Sequence, residues 1–98
     1  MSLPVELRSA AADDIQQGRR YYEDRLAGLG DRFVREVTKV LTRISDMPEL
    51  YGVVARGVRA GGVKRFAYVV YYRVKPMHVE IIAVLDGGRS PRVWKSRL

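Results

Sequence analysis

The side chains able to do chemistry in this 98-residue chain are arginine, lysine and tyrosine, and most sit in its second half. Arg59, Lys64, Arg65, Arg73 and Arg89 are interleaved with Tyr68, Tyr71 and Tyr72. The closing stretch DGGRSPRVWKSRL adds Arg92, Lys95 and Arg97 around the only tryptophan, Trp94. Guanidinium groups take phosphate oxygens two at a time, and aromatic faces stack on bases, so the set suits RNA, DNA or another anionic partner. A plainer reading stands beside it. Three tyrosines in one β-forming run also serve as core and cross-strand packing. Arg73, which shares a face with Ala67, Val69 and Tyr71, needs a partner there in either case.

Other chemistries lack their residues. The chain has no cysteine and one histidine, His78, in a Pro76-Met77-His78 turn. Disulfides and thiolate sites are excluded, and no metal or cofactor is expected. There is no P-loop or dinucleotide fingerprint, and GGVKRF makes a poor phosphate cradle because no helix start follows it. The acids cluster on the predicted helices and read as surface charges rather than a carboxylate pair. Catalysis would therefore rest on charge stabilisation at a phosphoryl centre, with a Tyr or Lys moving the proton.

The net charge of +7 is unevenly placed. Residues 1–50 hold 8 Lys/Arg against 9 Asp/Glu, whereas residues 51–98 hold 10 against 2. Such asymmetry points to an acidic or nucleic-acid partner for the second half, or to a basic solvated face.

The elements that must position these side chains follow from periodicity. Ninety-eight residues, 47% hydrophobic and 30% charged, make a single globular domain spanning 1–98. Val5–Arg8 alternates as a short strand. Ser9 is placed to cap a helix whose stripe is Ala11, Ile15, Gly18, Tyr22 and Leu26, ending at Gly28 or Gly30. Asp31 then caps a second helix with the stripe Phe33, Val37, Val40, Leu41 and Ile44, stopped by Pro48. The short link implies an antiparallel helical hairpin. After Pro48 a Val- and Gly-rich loop leads to a strand near Val58–Val63, where Gly61-Gly62 marks a bulge, a turn or a close backbone approach. FAYVVYYRVK sets Phe66, Tyr68, Val70, Tyr72 and Val74 on one face. VEIIAVLD sets Val79, Ile81, Ala83 and Leu85 on one face. Ser90 and Pro91 open a last short helix. The expected class is α+β: an N-terminal strand, a helical hairpin packed on a small antiparallel sheet, and a short C-terminal helix. No stretch approaches a signal peptide or membrane span, so a soluble, cytoplasmic protein without membrane partners is expected.

On its motifs the chain resembles the ParE/RelE superfamily of bacterial toxins from type II toxin–antitoxin modules. The motifs are A..DI.....YYE (Ala11, Asp14, Ile15, Tyr21, Tyr22, Glu23), LG.RF..EV...L..I...P in the second helix, GVR at Gly57–Arg59, RF.YVVYYRV in the strand, and GRSP..W..R at the end. The resemblance spans nearly the whole chain and implies one of two activities. Members of the ribonuclease branch enter the ribosome and cleave mRNA without metal; Arg59, Lys64 and Arg89 fall where that branch carries its basic catalytic residues. Members of the other branch inhibit DNA gyrase by binding. The ribonuclease branch tends to carry Tyr, or His with Tyr, near its end, where this chain has Val93-Trp94, and indole is a hydrogen-bond donor only. The GRSP..W..R ending is similar to ParE and the plasmid-stabilisation proteins. The resemblance thus implies a gyrase-directed toxin held by a cognate acidic antitoxin. The ribosome and mRNA are the alternative targets, a non-toxic basic binding module is a third reading, and a homodimer is the remaining partner expectation. For the target-binding surface the reading nominates Arg59, Arg65, Arg73, Arg89, Arg92, Lys95 and Arg97. Trp94 and Leu98, four residues apart on one helix face, are assigned to structure.

Overall fold

The computed structural model describes residues 2–98. In chain order its elements are β1 (Val5–Leu7), α1 (Ser9–Arg25), α2 (Leu29–Asp46), β2 (Val53–Ala55), β3 (Val58–Gly62), β4 (Tyr68–Val74), β5 (Val79–Asp86) and α3 (Arg92–Lys95). The five strands form one sheet in the order β1-β5-β4-β3-β2. The α+β architecture is the expected one, with one change of sense. β2 to β5 are antiparallel neighbours, but β1 joins β5 in parallel. The reason is connectivity: the helical hairpin and three strands separate β1 from β5, so no tight turn dictates their direction.

α1 and α2 run antiparallel. Residue 18 of α1 meets Phe33 of α2, and Glu23 meets Gly28 and Gly30. Gly18 permits this approach, since a Cβ there would lie 2.7 Å from the Phe33 ring. Helix ends differ slightly from expectation. Arg8, not Ser9, stands at the N-cap of α1, and Leu26, expected on its buried stripe, is the C-cap and 62% exposed. Asp31 lies inside the first turn of α2 and pairs with Arg19 instead of capping. The free amides at the start of α2 are met by Glu23, whose carboxylate accepts from the Gly28 and Gly30 N–H groups at 3.0 Å each. An acid on the preceding helix therefore does what the local cap was expected to do.

The main core lies between the hairpin and the sheet. Ala11, Ile15, Phe33, Val37, Val40 and Ile44 meet Val63, Val70, Tyr72, Val79, Ile81 and Val84. Phe66, Tyr68 and Val74 pack against its margin, so the predicted inner face of β4 is the observed one. β5 departs from simple alternation. Tyr72 pairs with Ile81 and Tyr71 with Ala83, leaving Ile82 as the extra residue of a β-bulge. The bulge reverses the phase, so Val84 faces the helices while Ala83 and Leu85 turn to the opposite side. There they join Val58, Ile82 and Trp94 in a second cluster. Both faces of β5 are thus covered, which is why its sequence is nearly continuously apolar.

The segment after Pro48 also holds more structure than a loop. β2 turns into β3 through Arg56 and Gly57, both at positive φ (51° and 75°), the two-residue geometry that matches strand twist. Gly61 and Gly62 are strand, and the Tyr51 ring stacks 3.0 Å from where a Gly61 Cβ would sit. Of the three roles open for that pair, close approach is the one realised.

Candidate functional site

The tail is where sequence singled out most charge. The Gly87-Gly88 turn ends β5, and Ser90 Oγ accepts from the Arg92 N–H at 3.2 Å, starting the turn that becomes α3. Trp94 is buried, its ring stacked on Tyr71 at 5.2 Å and 20°. Offset stacking and near-complete burial of the largest side chain dock α3 on the outer face of the sheet. Leu98, expected to share this role, lies beyond α3 and is 37% exposed. Past Lys95 the chain tightens, with the Arg97 and Leu98 N–H groups bonding three residues back to the Trp94 and Lys95 carbonyls, so the i, i+4 face is not kept to Leu98.

Arg97 performs the second anchoring role instead. Its Nη1 and Nη2 donate to Asp14 Oδ2 and Oδ1 at 2.7 and 3.0 Å, and Nη1 also donates to the Ile82 carbonyl at 3.1 Å. Asp14 Oδ2 in turn accepts from the Val84 N–H at 3.0 Å. β1 ends opposite Ile81, so beyond the bulge β5 has no strand on that side. Asp14 and Arg97 supply hydrogen bonds to backbone groups left there. The Asp14 bond holds the Arg97 guanidinium charged, pushing its pKa further up against the effect of burial. The Arg97 carbonyl is further gripped by Arg8, which also pairs with Glu80 at 3.1 Å. Two expectations are corrected here. Arg97 is not an open basic residue, and Asp14 is not a surface charge. The signal was present in the spacing, because Asp14 falls three after Ala11 and four before Gly18, on the buried stripe.

The remaining arginines and lysines are dispersed. Arg59 pairs across from Tyr72, and its Nη1 donates to the carbonyls of Tyr51 (2.7 Å) and Glu49 (3.2 Å). It pins the segment leaving α2, alongside Tyr72, whose hydroxyl donates to the Pro48 carbonyl at 2.8 Å. Burial of Tyr72 raises its pKa, which keeps the hydroxyl protonated as the donor to Pro48. Arg73 lies on the outer face and donates to the Arg56 carbonyl at 3.2 Å, the partner its half-apolar surroundings called for. Arg92 and Lys95 are exposed on α3, with Lys95 5.6 Å from the Trp94 ring centre.

Lys64, Arg65 and Arg89 are exposed at the opposite end of β4 from Arg59. Val63 is bonded to Tyr68, and Tyr68 pairs with Asp86, three residues before Arg89. Tyr68 and Tyr72 are four strand residues apart, roughly 13 Å. Lys64 and Arg89 therefore share an end of the sheet, and Arg59 does not join them. Arg89 borders a cavity of only about 40 Å³ with Tyr68, Asp14 and Gln17. Burial raises the Tyr68 pKa, with Tyr22 and Asp86 adding to it and Arg89 opposing. Tyr68, Tyr22, Phe33 and Phe66 form an edge-on cluster with centroids 4.7–5.9 Å apart, so these aromatics serve packing, not an open stacking platform. His78 lies 3.5 Å from Glu6 on the surface. Among the described residues no cluster of His, Asp and Glu could hold a metal ion, and no helix is long and apolar enough to cross a membrane.

Three further grooves have mostly apolar walls. One of about 510 Å³ is lined by Leu3, Met47, Pro48, Leu50, Val74 and Pro76, with Glu49 and Lys75 at its rim. The others, of about 340 and 230 Å³, lie against α2, the first among Val5, Leu7, Leu41, Thr38 and Thr42 and the second among Leu7, Ala12, Ile15, Val34 and Leu41. At the free edge of the sheet, Val53 and Val54 are each more than half exposed.

The fold and these placements can be set against known proteins. No curated protein sequence matches the chain. Among solved structures it is similar to a chain of the chromosomal ParDE TA system from P. aeruginosa, with a TM-score of 0.64 and 15% identity, over 85% of this chain and 94% of that one. At that identity the likeness is one of fold. The family model for the ParE toxin of the type II toxin–antitoxin system parDE matches residues 5–91, from β1 through the Ser90-Pro91 start of the tail. A match over nearly the whole domain, on the fold its motifs implied, places this chain in the ParE toxin family.

Proposed function

We propose that this ParE-family chain acts by binding, inhibiting DNA gyrase, and is held inactive by a cognate acidic antitoxin. The observation that carries the reading is the separation of Arg59 from Lys64 and Arg89. Arg59 is engaged by the Tyr51 and Glu49 carbonyls, about four strand residues from the end where the other two lie. A phosphoryl-transfer site needs its clamps and its proton carrier around one reacting atom. No histidine among the described residues accompanies the cations. The carboxylates beside Arg89 are engaged elsewhere, Asp14 by Arg97 and Asp86 by the Gly88 N–H, and the indole of Trp94 is stacked in the core. Surface charge without a reaction centre suits a toxin that works by occupancy.

The antitoxin enters through charge and exposed apolar surface. An acidic segment is attracted by the basic second half, and a helix face fits the groove beside the hairpin, while an extended segment fits the β2 edge. The test is a supercoiling assay with purified protein and gyrase. Inhibition with accumulation of linear, cleaved plasmid is expected, relieved by the acidic partner. Full gyrase activity at excess protein, together with new 5′ ends on translated messages, would replace this reading with the ribonuclease one.

A further inference from the structure

The solvent face of α2 carries a row of cations that the reading above does not use. Arg32, Arg35, Lys39 and Arg43 follow one another at steps of three, four and four, and all are exposed. At that spacing they form one stripe roughly 16 Å long. The apolar residues of α2 lie on the other side: Phe33, Val37, Val40 and Ile44 are buried, and Val34 and Leu41 half-buried. The turn between β3 and β4 brings two more cations alongside. Phe66 packs its ring 5.4 Å from Phe33, which seats the neighbouring Lys64 and Arg65 against this helix. Three acids share the helix with these cations: Asp31, which pairs with Arg19, Asp46 at its end, and Glu36, which lies within the row and accepts from Lys39 at 2.8 Å. That bond holds its carboxyl below the ordinary value, and the charges of Lys39, Arg65 and Lys64 add to the effect. Among the described residues the side chains of Arg32, Arg35, Arg43, Lys64 and Arg65 make no hydrogen bond or ion pair within the chain.

We infer that this face, Arg32, Arg35, Lys39 and Arg43 with Lys64 and Arg65, is a binding site for the phosphodiester backbone of a nucleic acid. A duplex strand presents a charge about every 3.4 Å along its axis, so a 16 Å row of cations spans four to five phosphates. Arginine, which dominates the row, takes phosphate oxygens bidentately. The chemistry also argues against a folded protein as the occupant. A stable protein interface needs a desolvated apolar or aromatic centre; no apolar side chain lies between these cations, and the groove among Val5, Leu7 and Leu41 flanks the row beyond Thr38 and Thr42. Nothing on this face reads base edges, so binding is independent of sequence.

The site is tested by fluorescence anisotropy of the full chain with a short mixed-sequence DNA duplex and, in a second arm, single-stranded RNA. Salt is varied over roughly 50 to 200 mM. With four or five phosphates neutralised, the log–log salt slope on duplex DNA is expected near about −4. The triple variant Arg35→Gln, Lys39→Gln, Arg43→Gln should bind at least about tenfold more weakly, with a slope shallower by about two to three. Arg92→Gln with Lys95→Gln, on α3, should change affinity less than about threefold, since α3 docks on the face of the sheet opposite the helices. Circular dichroism melts establish that each variant is folded. Tighter binding in one arm identifies duplex or single strand as the source of the backbone. Absence of binding to both, equal losses in the α2 and α3 variants, or displacement by polyglutamate at matched charge would each overturn the site. Gyrase inhibition is read separately and does not enter this outcome.

Discussion

Asp14 and Arg97, 83 residues apart, meet in a two-pronged ion pair that joins the first helix to the penultimate residue of the chain. The pair also supplies hydrogen bonds to the Val84 N–H and the Ile82 carbonyl, on either side of the β5 bulge. Asp14 is 7% exposed and the Arg97 side chain 21%. Removing one partner leaves the other poorly solvated, so Arg97→Ala is expected to lower stability by about 3 kcal/mol. Asp14→Ala should cost at least as much, because the Val84 N–H loses its acceptor as well. Urea unfolding checks both, and the double variant should fall well short of the sum. Additive losses would mean the two side chains are not coupled.

Trp94 gives a local readout of the same clamp. Its burial and stacking on Tyr71 predict blue-shifted emission in the native protein. In Arg97→Ala the emission should move to the red at denaturant concentrations where helical circular dichroism is still native, as the tail undocks first. Trp94→Ala should cost about 3–5 kcal/mol, since it empties the centre of the outer cluster. Coincident transitions in Arg97→Ala would show that the tail and the domain unfold as one unit.

Gly18→Ala tests the helix crossing. In an ordinary helix interior this change is stabilising by up to about 1 kcal/mol. Here the new methyl would lie 2.7 Å from two atoms of the buried Phe33 ring. Overpacking should win, for a net loss of about 1–3 kcal/mol in thermal or urea unfolding. A rise in melting temperature would show that Phe33 has room to rotate.

Helices, strands and their inner faces were legible because apolar residues recur at the right period: Phe33, Val37, Val40 and Ile44 in α2, and Phe66 through Val74 in β4. The branched, aromatic composition of β4 and β5 marked them as strands. What escaped was fixed by tertiary partners. The bulge at Ile82 was not legible because both faces of β5 are covered, and a continuous apolar run carries no phase information. β2 is three residues long, below what alternation can signal, and rests on the Arg56-Gly57 turn. Glu23 caps a helix to which it does not belong. The same limit applies to the candidate site. The excess of positive charge in the second half was visible, but not that Arg59, Arg73 and Arg97 turn inward to carbonyls and a carboxylate. The row on α2 was masked because the acids of the first half balance its charge in the count, although of these only Asp31, Glu36 and Asp46 lie on that helix.

Glu36 reports on that row through pH. Its folded carboxyl lies below the ordinary value of 4.5, first through the Lys39 hydrogen bond and then through the charges of Lys39, Arg65 and Lys64. A depressed carboxyl stabilises the fold above the unfolded pKa, and that contribution disappears as pH falls through the folded one. The residue is at the surface, so the effect on stability is small and screened by salt. A carboxyl-carbon NMR titration should place Glu36 below the exposed glutamates. Lys39→Gln should raise its midpoint most, and Lys64→Gln with Arg65→Gln by a smaller amount that shrinks with added salt. An unchanged midpoint in the Lys64/Arg65 variant would separate the β3–β4 turn from the helix face.

Arg59 and Arg89 divide structure from function most sharply. Arg59→Ala removes the donor to the Tyr51 and Glu49 carbonyls and frees the segment between α2 and β2. Its expected effect is a loss of about 1–2 kcal/mol, the scale of a charge-assisted hydrogen bond, with gyrase inhibition retained in the folded fraction. Arg89 makes no side-chain contact of that kind and stands exposed after the Gly87-Gly88 turn. Arg89→Ala should leave the unfolding midpoint unchanged and weaken inhibition. The two variants are compared at equal concentrations of folded protein, by supercoiling and by melt. If Arg59→Ala instead abolishes activity at unchanged stability, its guanidinium must leave the carbonyls to meet the target, and the two arginines belong to one working surface after all.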